Sequence, residues 1–173
     1  KTVEKLKSKN RFEIAEVLES TFLPKDVDLK FVIQDKPIGT AHVLYCASQV
    51  SENRHIAFFF PDDIIVSKDK DNSHLARLLA EFSHDEHQIL MTGIEKEDVS
   101  NNGILADGRL QEKPKNPANH VGIYTPMIFP KELIAFLKNE FENHQADILN
   151  LGHEWYYVDA INSFLDQGGE KQG

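Results

Sequence analysis

The chain of 173 residues has one cysteine, Cys46, which excludes an internal disulfide and makes a reducing, cytoplasmic setting the expectation. It also lacks basic excess: 19 Lys and Arg face 28 Asp and Glu, a formal net charge of −9. Neither nucleic acid nor an anionic membrane is then an expected partner, because both need a basic face. A small phosphorylated ligand stays compatible where a metal or a few lysines screen it. No apolar run approaches the ~20 residues of a membrane span, and no signal-like start is present. Repeats and long linkers are missing too, so residues 1–173 read as a single domain of ordinary size. The first residue is Lys1 rather than Met, which predicts a piece of a longer polypeptide or one trimmed at its start.

What is present centres on residues 55–65, His-Ile-Ala-Phe-Phe-Phe-Pro-Asp-Asp-Ile-Ile, an apolar run that stops on two adjacent carboxylates. Apolar residues without polar alternation suit a strand covered on both faces at the centre of an α/β sheet. Such sheets bind ligands beyond the C-terminal ends of their strands. Asp62 and Asp63 there would offer hard oxygen ligands to a divalent cation that itself carries phosphates, as magnesium does. The plain alternative is a solvated acidic turn.

Residues 2–22 carry Val3, Leu6, Ile14, Val17, Leu18 and Phe22 at helical spacing, which predicts one or two surface helices before Pro24. Residues 28–34 have a strand's composition, and Lys36-Pro37-Ile38-Gly39 makes a turn into a helix with Thr40 as its N-cap. A charged loop over residues 67–72 leads to a helix capped by Ser73 and carrying Leu75, Leu78, Leu79 and Phe82; residues 88–94 form the next strand. The alternation of strands and helices predicts an α/β fold with crossover units and a largely parallel or mixed sheet. Short strands follow around the hairpin turn Asp107-Gly108 and over residues 121–124. A helix beginning near Pro130 buries Leu133, Ile134, Phe136, Leu137 and Phe141, and a last one packs Ile161, Phe164 and Leu165 before a frayed polar end.

Two further segments bear on chemistry. Gly39 before a helix N-terminus lets a ligand approach the backbone, and the amide of Gln34 can read a base edge. In Glu112-Lys113-Pro114-Lys115, Glu112 can accept hydrogen bonds from sugar hydroxyls while Lys113 offers a point charge to phosphate. Other groups read as structural. His84, Asp85, Glu86 and His87 lie at a helix exit without a third ligand, Cys46 is a small buried hydrophobe, and Trp155-Tyr156-Tyr157, which could stack on a base or sugar, better suit a core or a subunit interface in a homo-oligomer.

These segments together resemble the bacterial-type UTP–glucose-1-phosphate uridylyltransferases. Gln34 with residues 36–47 is similar to the family's uracil-recognising segment, and Phe60-Pro61-Asp62-Asp63-Ile64 to its metal-binding strand end. Residues 97–105 look like its glucose-contacting turn, and Glu112-Lys113-Pro114-Lys115 like its sugar and phosphate clamp. The likeness extends through residues 121–126 to Asp159-Ala160-Ile161. It implies a Rossmann-like, glycosyltransferase-A-type mixed sheet flanked by helices, and a nucleotidyltransferase that uses Mg2+. By carry-over Gln34, Gly39 and Thr40 belong to the base site, and Asp62 binds the metal with Asp63 beside it. Gly103 and Glu112 hold glucose, Lys113 neutralises phosphate, and Gly122 follows in a stretch shorter than the family's. The implied partners are UTP, glucose 1-phosphate and UDP-glucose, joined by in-line attack with release of pyrophosphate.

The family's opening strand, its Gly-rich Arg-bearing loop and its C-terminal acidic segment have no counterpart in these residues. The expectation is therefore a nucleotidyltransferase-like domain incomplete at both ends, a partial or divergent copy. A non-catalytic nucleotide-sugar binding or regulatory module of the same fold is the alternative. A glycosyltransferase would need an acceptor cleft and a base, and nothing in the sequence marks either.

Overall fold

A computed structural model describes residues 1–22, 24, 26–51, 54–66, 73–83 and 88–169. The histidine cluster at 84–87, the loop at 67–72 and the last four residues lie outside them. The chain divides into two units, Lys1–Phe31 and Val32–Gly173.

The first unit holds two helices where one or two were expected, α1 (Thr2–Lys7) and α2 (Phe12–Ser20). They pack together with Val3 and Ala15 buried, and Lys7 Nζ donates to Glu19 Oε1 at 2.8 Å. Residues 28–34 form no strand, contrary to expectation. Phe31 is 86% and Ile33 79% exposed. Branched and aromatic composition favours a strand only where a ladder partner takes up the backbone groups, and no described strand pairs with this segment.

The second unit is an α/β layer structure, its sheet flanked by helices. In chain order it contains α3 (Thr40–Ser48), β1 (Ile56–Phe58), α4 (His74–Glu81), β2 (Leu90–Glu95), β3 (Gly103–Ala106), β4 (Arg109–Glu112), β5 (Val121–Phe129), α5 (Lys131–Leu149) and α6 (Tyr157–Gly169). β5 is the organising strand and pairs with β1, β2 and β3, while β4 closes a hairpin on β3. Every described pairing is antiparallel. The expected crossover is nonetheless there, because β1 and β2 run in the same direction with β5 between them. β1 has three residues and pairs only with β5 among the described strands; it is not covered on both faces, since Ala57 and, just beyond it, Phe59 are exposed.

Local signals account for several elements. Ser73 caps α4 by accepting from the Ala76 amide, and Pro130 occupies the N-cap of α5. Asp107 and Gly108 both adopt positive φ, 52° and 73°, the geometry of a two-residue hairpin turn. The apolar stripes of α5 and α6 meet β5 and α3 in one core that includes Leu44, Met127, Phe129, Leu133, Leu137 and Ile161. No helix among the described residues is long and apolar enough to cross a membrane.

The outer edge of β4 is covered by a side chain. Asn162 of α6 accepts from Leu110 N at 3.0 Å and donates to Leu110 O at 2.8 Å, and Arg109 forms an ion pair with Asp166 one turn further on. One amide thus supplies both bonds that a neighbouring strand would. We expect Asn162→Ala to lower unfolding free energy by about 1–2 kcal/mol, because two backbone groups lose partners. Asn162→Asp, which keeps the acceptor but sets a carboxylate oxygen against Leu110 O, should also be destabilised; equal urea midpoints for Asn162→Ala and the unaltered chain would contradict this.

Candidate functional site

The loop before α3 is held by close backbone packing. Trp155 N donates to Ile38 O at 2.7 Å and Ala41 N donates to Trp155 O at 3.0 Å. A Cβ at Gly39, where φ is 121°, would lie 2.3 Å from the Trp155 carbonyl oxygen. The glycine expected to admit a ligand is therefore required by the chain itself. Gly39 is also the N-cap of α3 in place of Thr40. The Thr40 hydroxyl serves another element, accepting from Tyr157 N at 3.0 Å where α6 begins.

Gln34 Nε2 lies 3.0 Å from Gly39 O and 3.2 Å from His42 Nδ1. The carbonyl can only accept, which fixes the amide so that both of its N–H bonds are taken and Oε1 is left as an acceptor. His42 is then neutral with its proton on Nε2. Burial holds its pKa below the usual histidine value, against the opposing Lys36 carbonyl and Asp35 charge. Burial likewise raises the Cys46 thiol, helped by Asp35, so this cysteine is no activated nucleophile.

At the other end of the site, the register of β2 on β5 jumps between Met91 and Thr92 and leaves Thr125 and Pro126 out of the ladder. This bulge frees the Thr125 amide, which donates to Asp63 Oδ2 at 2.8 Å, as does the Thr125 hydroxyl at 2.9 Å. The same hydroxyl accepts from Phe60 N at 3.0 Å, and the turn closes with Asp63 N on Phe60 O. Asp63 thus anchors the turn, whereas Asp62 is exposed and makes no hydrogen bond or ion pair among the described residues. No described group of three His, Cys, Asp or Glu could cage a metal. The donor set is one open carboxylate, which suits an ion such as magnesium that keeps waters and takes its other ligands from phosphate.

Between these ends stands the β3–β4 hairpin. Gly103 pairs with Glu112 across it, and a Cβ at Gly103 would stand 3.4 Å from Tyr157 Oη and 3.7 Å from Glu112 Oε2. Burial raises the Glu112 carboxyl pKa, Lys113 opposes that rise, and Asp159 adds to it. Lys113 has φ of 44°, its amide donates to Asn102 O, and its Nζ lies 3.7 Å from Glu112 Oε1. A non-glycine residue in the left-handed region needs a surrounding that holds it there. Gly122 sits where a Cβ would press at 3.2 Å on Asn102, so packing accounts for it. Beside it the Lys96 ammonium donates to Tyr124 Oη at 2.7 Å.

The structure therefore gathers Asp63, Gly103 and Glu112 around Tyr157, sets Lys113 against Glu112, and bonds Thr40 to the Tyr157 amide. Gln34 and Gly39 join through Trp155, two residues earlier. Trp155 itself is core, stacked on Phe141. Thr125, Tyr157 and Asp159 were not singled out for the site from the sequence, which presented Tyr157 only as part of an aromatic run. An apolar hollow of about 720 Å³ elsewhere, lined by Met91, Leu105, Leu110, Ile161 and Leu165 among others, contains none of these residues.

A family model described as nucleotidyl transferase matches residues 2–162. Among solved structures, the chain is similar to a UDP-glucose pyrophosphorylase from Acinetobacter baumannii, at 19% identity and a TM-score of 0.72, covering 95% of this chain and 58% of that one. A UTP-bound UGPase from the same organism matches at 19% identity and 0.66, covering 87% and 57%. The chain thus spans less than two thirds of either structure, and at this identity the likeness establishes the fold. No curated protein matches it in sequence.

His42 generates a prediction for stability. Its pKa is lowered on folding from 6.5, so the unfolded chain binds the proton more readily. Its contribution is complete above that value and is lost as pH falls from it through the folded pKa. Urea midpoints should fall as pH drops below 6.5, and His42→Phe should flatten that limb; an unchanged slope in the variant would assign the loss to other groups.

Proposed function

Since the chain belongs to the nucleotidyl transferase family, we propose that it binds UTP, glucose 1-phosphate and UDP-glucose, and serves uridylyl transfer between UTP and the sugar phosphate. The observation that carries this reading is the meeting of Gly103, Glu112 and Lys113 with Asp63 and Tyr157 at the end of β1. Fold neighbours named for UDP-glucose and UTP support it.

In this reading each residue has a task that its geometry suits. The Gln34 amide, with both N–H bonds spent inside the protein, presents Oε1 to a base N–H, which uracil carries at N3. Glu112 accepts from sugar hydroxyls beside Gly103, where no side chain intervenes. Lys113, more than half exposed, places its ammonium against phosphate oxygens. Asp62 is the residue that would hold a magnesium ion, which screens phosphate charge when bound. A sugar 1-phosphate oxygen attacks the α-phosphorus in line, forming one P–O bond as the bond to pyrophosphate breaks. The chain's share of catalysis is to align the two phosphates and balance their charge.

Calorimetric titration with UDP-glucose, with and without magnesium, tests the reading. Binding strengthened by magnesium is expected, with that strengthening lost in Asp62→Ala and affinity reduced about tenfold or more in Lys113→Ala. Binding without turnover of UTP and glucose 1-phosphate would identify a nucleotide-sugar binding module. No binding at millimolar ligand would reject both.

A further inference from the structure

Tyr157 has two faces that call for different explanations. Its ring packs at centroid distances of 6.5 Å from Phe58 and 6.1 Å from Phe60, in a neighbourhood that a phenylalanine would fill equally well. Nothing in that packing asks for a hydroxyl, and burying one without a partner is costly. The residue is only 6% exposed, yet none of the described side chains or backbone groups hydrogen-bonds to its Oη. Among the described residues every fully buried side-chain oxygen has a partner, so this one keeps some contact with solvent. It is aimed at Gly103, whose missing side chain leaves the oxygen uncovered, and Glu112 Oε2 borders the same gap.

Burial first, then the charges of Glu112 and Asp63, push the Tyr157 pKa well up, so the group remains a neutral phenol and keeps its proton to donate. A carboxylate that only accepts thus stands beside a hydroxyl that can donate. Two neighbouring hydroxyls of a sugar ring match that pair: one gives its proton to Glu112 while the next accepts from Tyr157.

Resting on the reading above, we infer that Tyr157 Oη is a sugar-binding group that donates a hydrogen bond to a ring hydroxyl of the hexose held between Gly103 and Glu112. It distinguishes sugars that carry a hydroxyl there from deoxy sugars, because a buried polar group left unpaired penalises the wrong ligand.

Tyr157→Phe keeps the ring and the amide bond to Thr40 while removing only the oxygen. Calorimetry of the full chain and of this variant, with UDP-glucose and separately with UMP, reads the effect. The expected result is a loss of about tenfold for UDP-glucose with UMP affinity unchanged. Equal affinities of both proteins for UDP-glucose would overturn the Tyr157 assignment alone. Parallel loss of both ligands would also overturn it, by showing that Tyr157 acts on the whole site through Thr40. An unaltered chain that binds neither ligand removes the nucleotide-sugar reading and this assignment together. Should Tyr157→Phe fail to fold, Gly103→Ala carries the test, since its methyl group meets the same oxygen at 3.4 Å; it should weaken UDP-glucose and spare UMP, and no change would overturn the inference.

Discussion

Much of the second unit hangs on the close approach of Gly39 to the Trp155 backbone. Two hydrogen bonds join the segments, one on each side of the glycine, and the Trp155 carbonyl fills the space that any side chain at 39 would take. That contact sets the start of α3 against the start of α6. From it follow the Thr40 bond to Tyr157 N, the placing of Tyr157 under Gly103, and the orientation of Gln34 by the Gly39 carbonyl. A methyl group at 39 would part the two segments before it met any ligand.

The acidic turn shows a division of labour between neighbouring residues of the same type. Asp63 spends one oxygen on two donors from Thr125, and thereby leaves Asp62 facing outward on a fixed turn. A carboxylate that is both open and held in place needs a neighbour to anchor its turn, and one aspartate cannot easily serve as both. The β5 bulge makes the arrangement possible, because a Thr125 amide engaged in the ladder would have nothing to give Asp63.

What could be read in the sequence was what local chemistry dictates. Asp107-Gly108 must turn because both need positive φ, Ser73 must cap, and the stripe from Leu133 to Phe141 must face a core. The acid pair and the Glu112-Lys113 step stood out as candidates by their residue types, and Gly103 only through the family resemblance. Residues 28–34 misled because composition records what a side chain prefers and is silent on whether a partner strand exists. The same blindness made β1 look covered on both faces, when Ala57 and Phe59 are exposed. Thr125 was invisible since its role depends on a slip in register between β2 and β5, distant in sequence. Tyr157 was read as a ring, and its hydroxyl gains meaning only when Gly103 is seen to leave it bare.

Trp155 is the only tryptophan in the chain, and it stands at the Gly39 contact, nine-tenths buried and stacked on Phe141. Its backbone holds the loop before α3 while its indole lies in the core shared by α3 and α5. The ultraviolet emission of the whole protein therefore originates mainly at the one joint where α3, α6 and the loop meet. Any loosening of that joint admits water to the indole and reddens the light, so the molecule carries its own optical gauge at the point on which its site is hung.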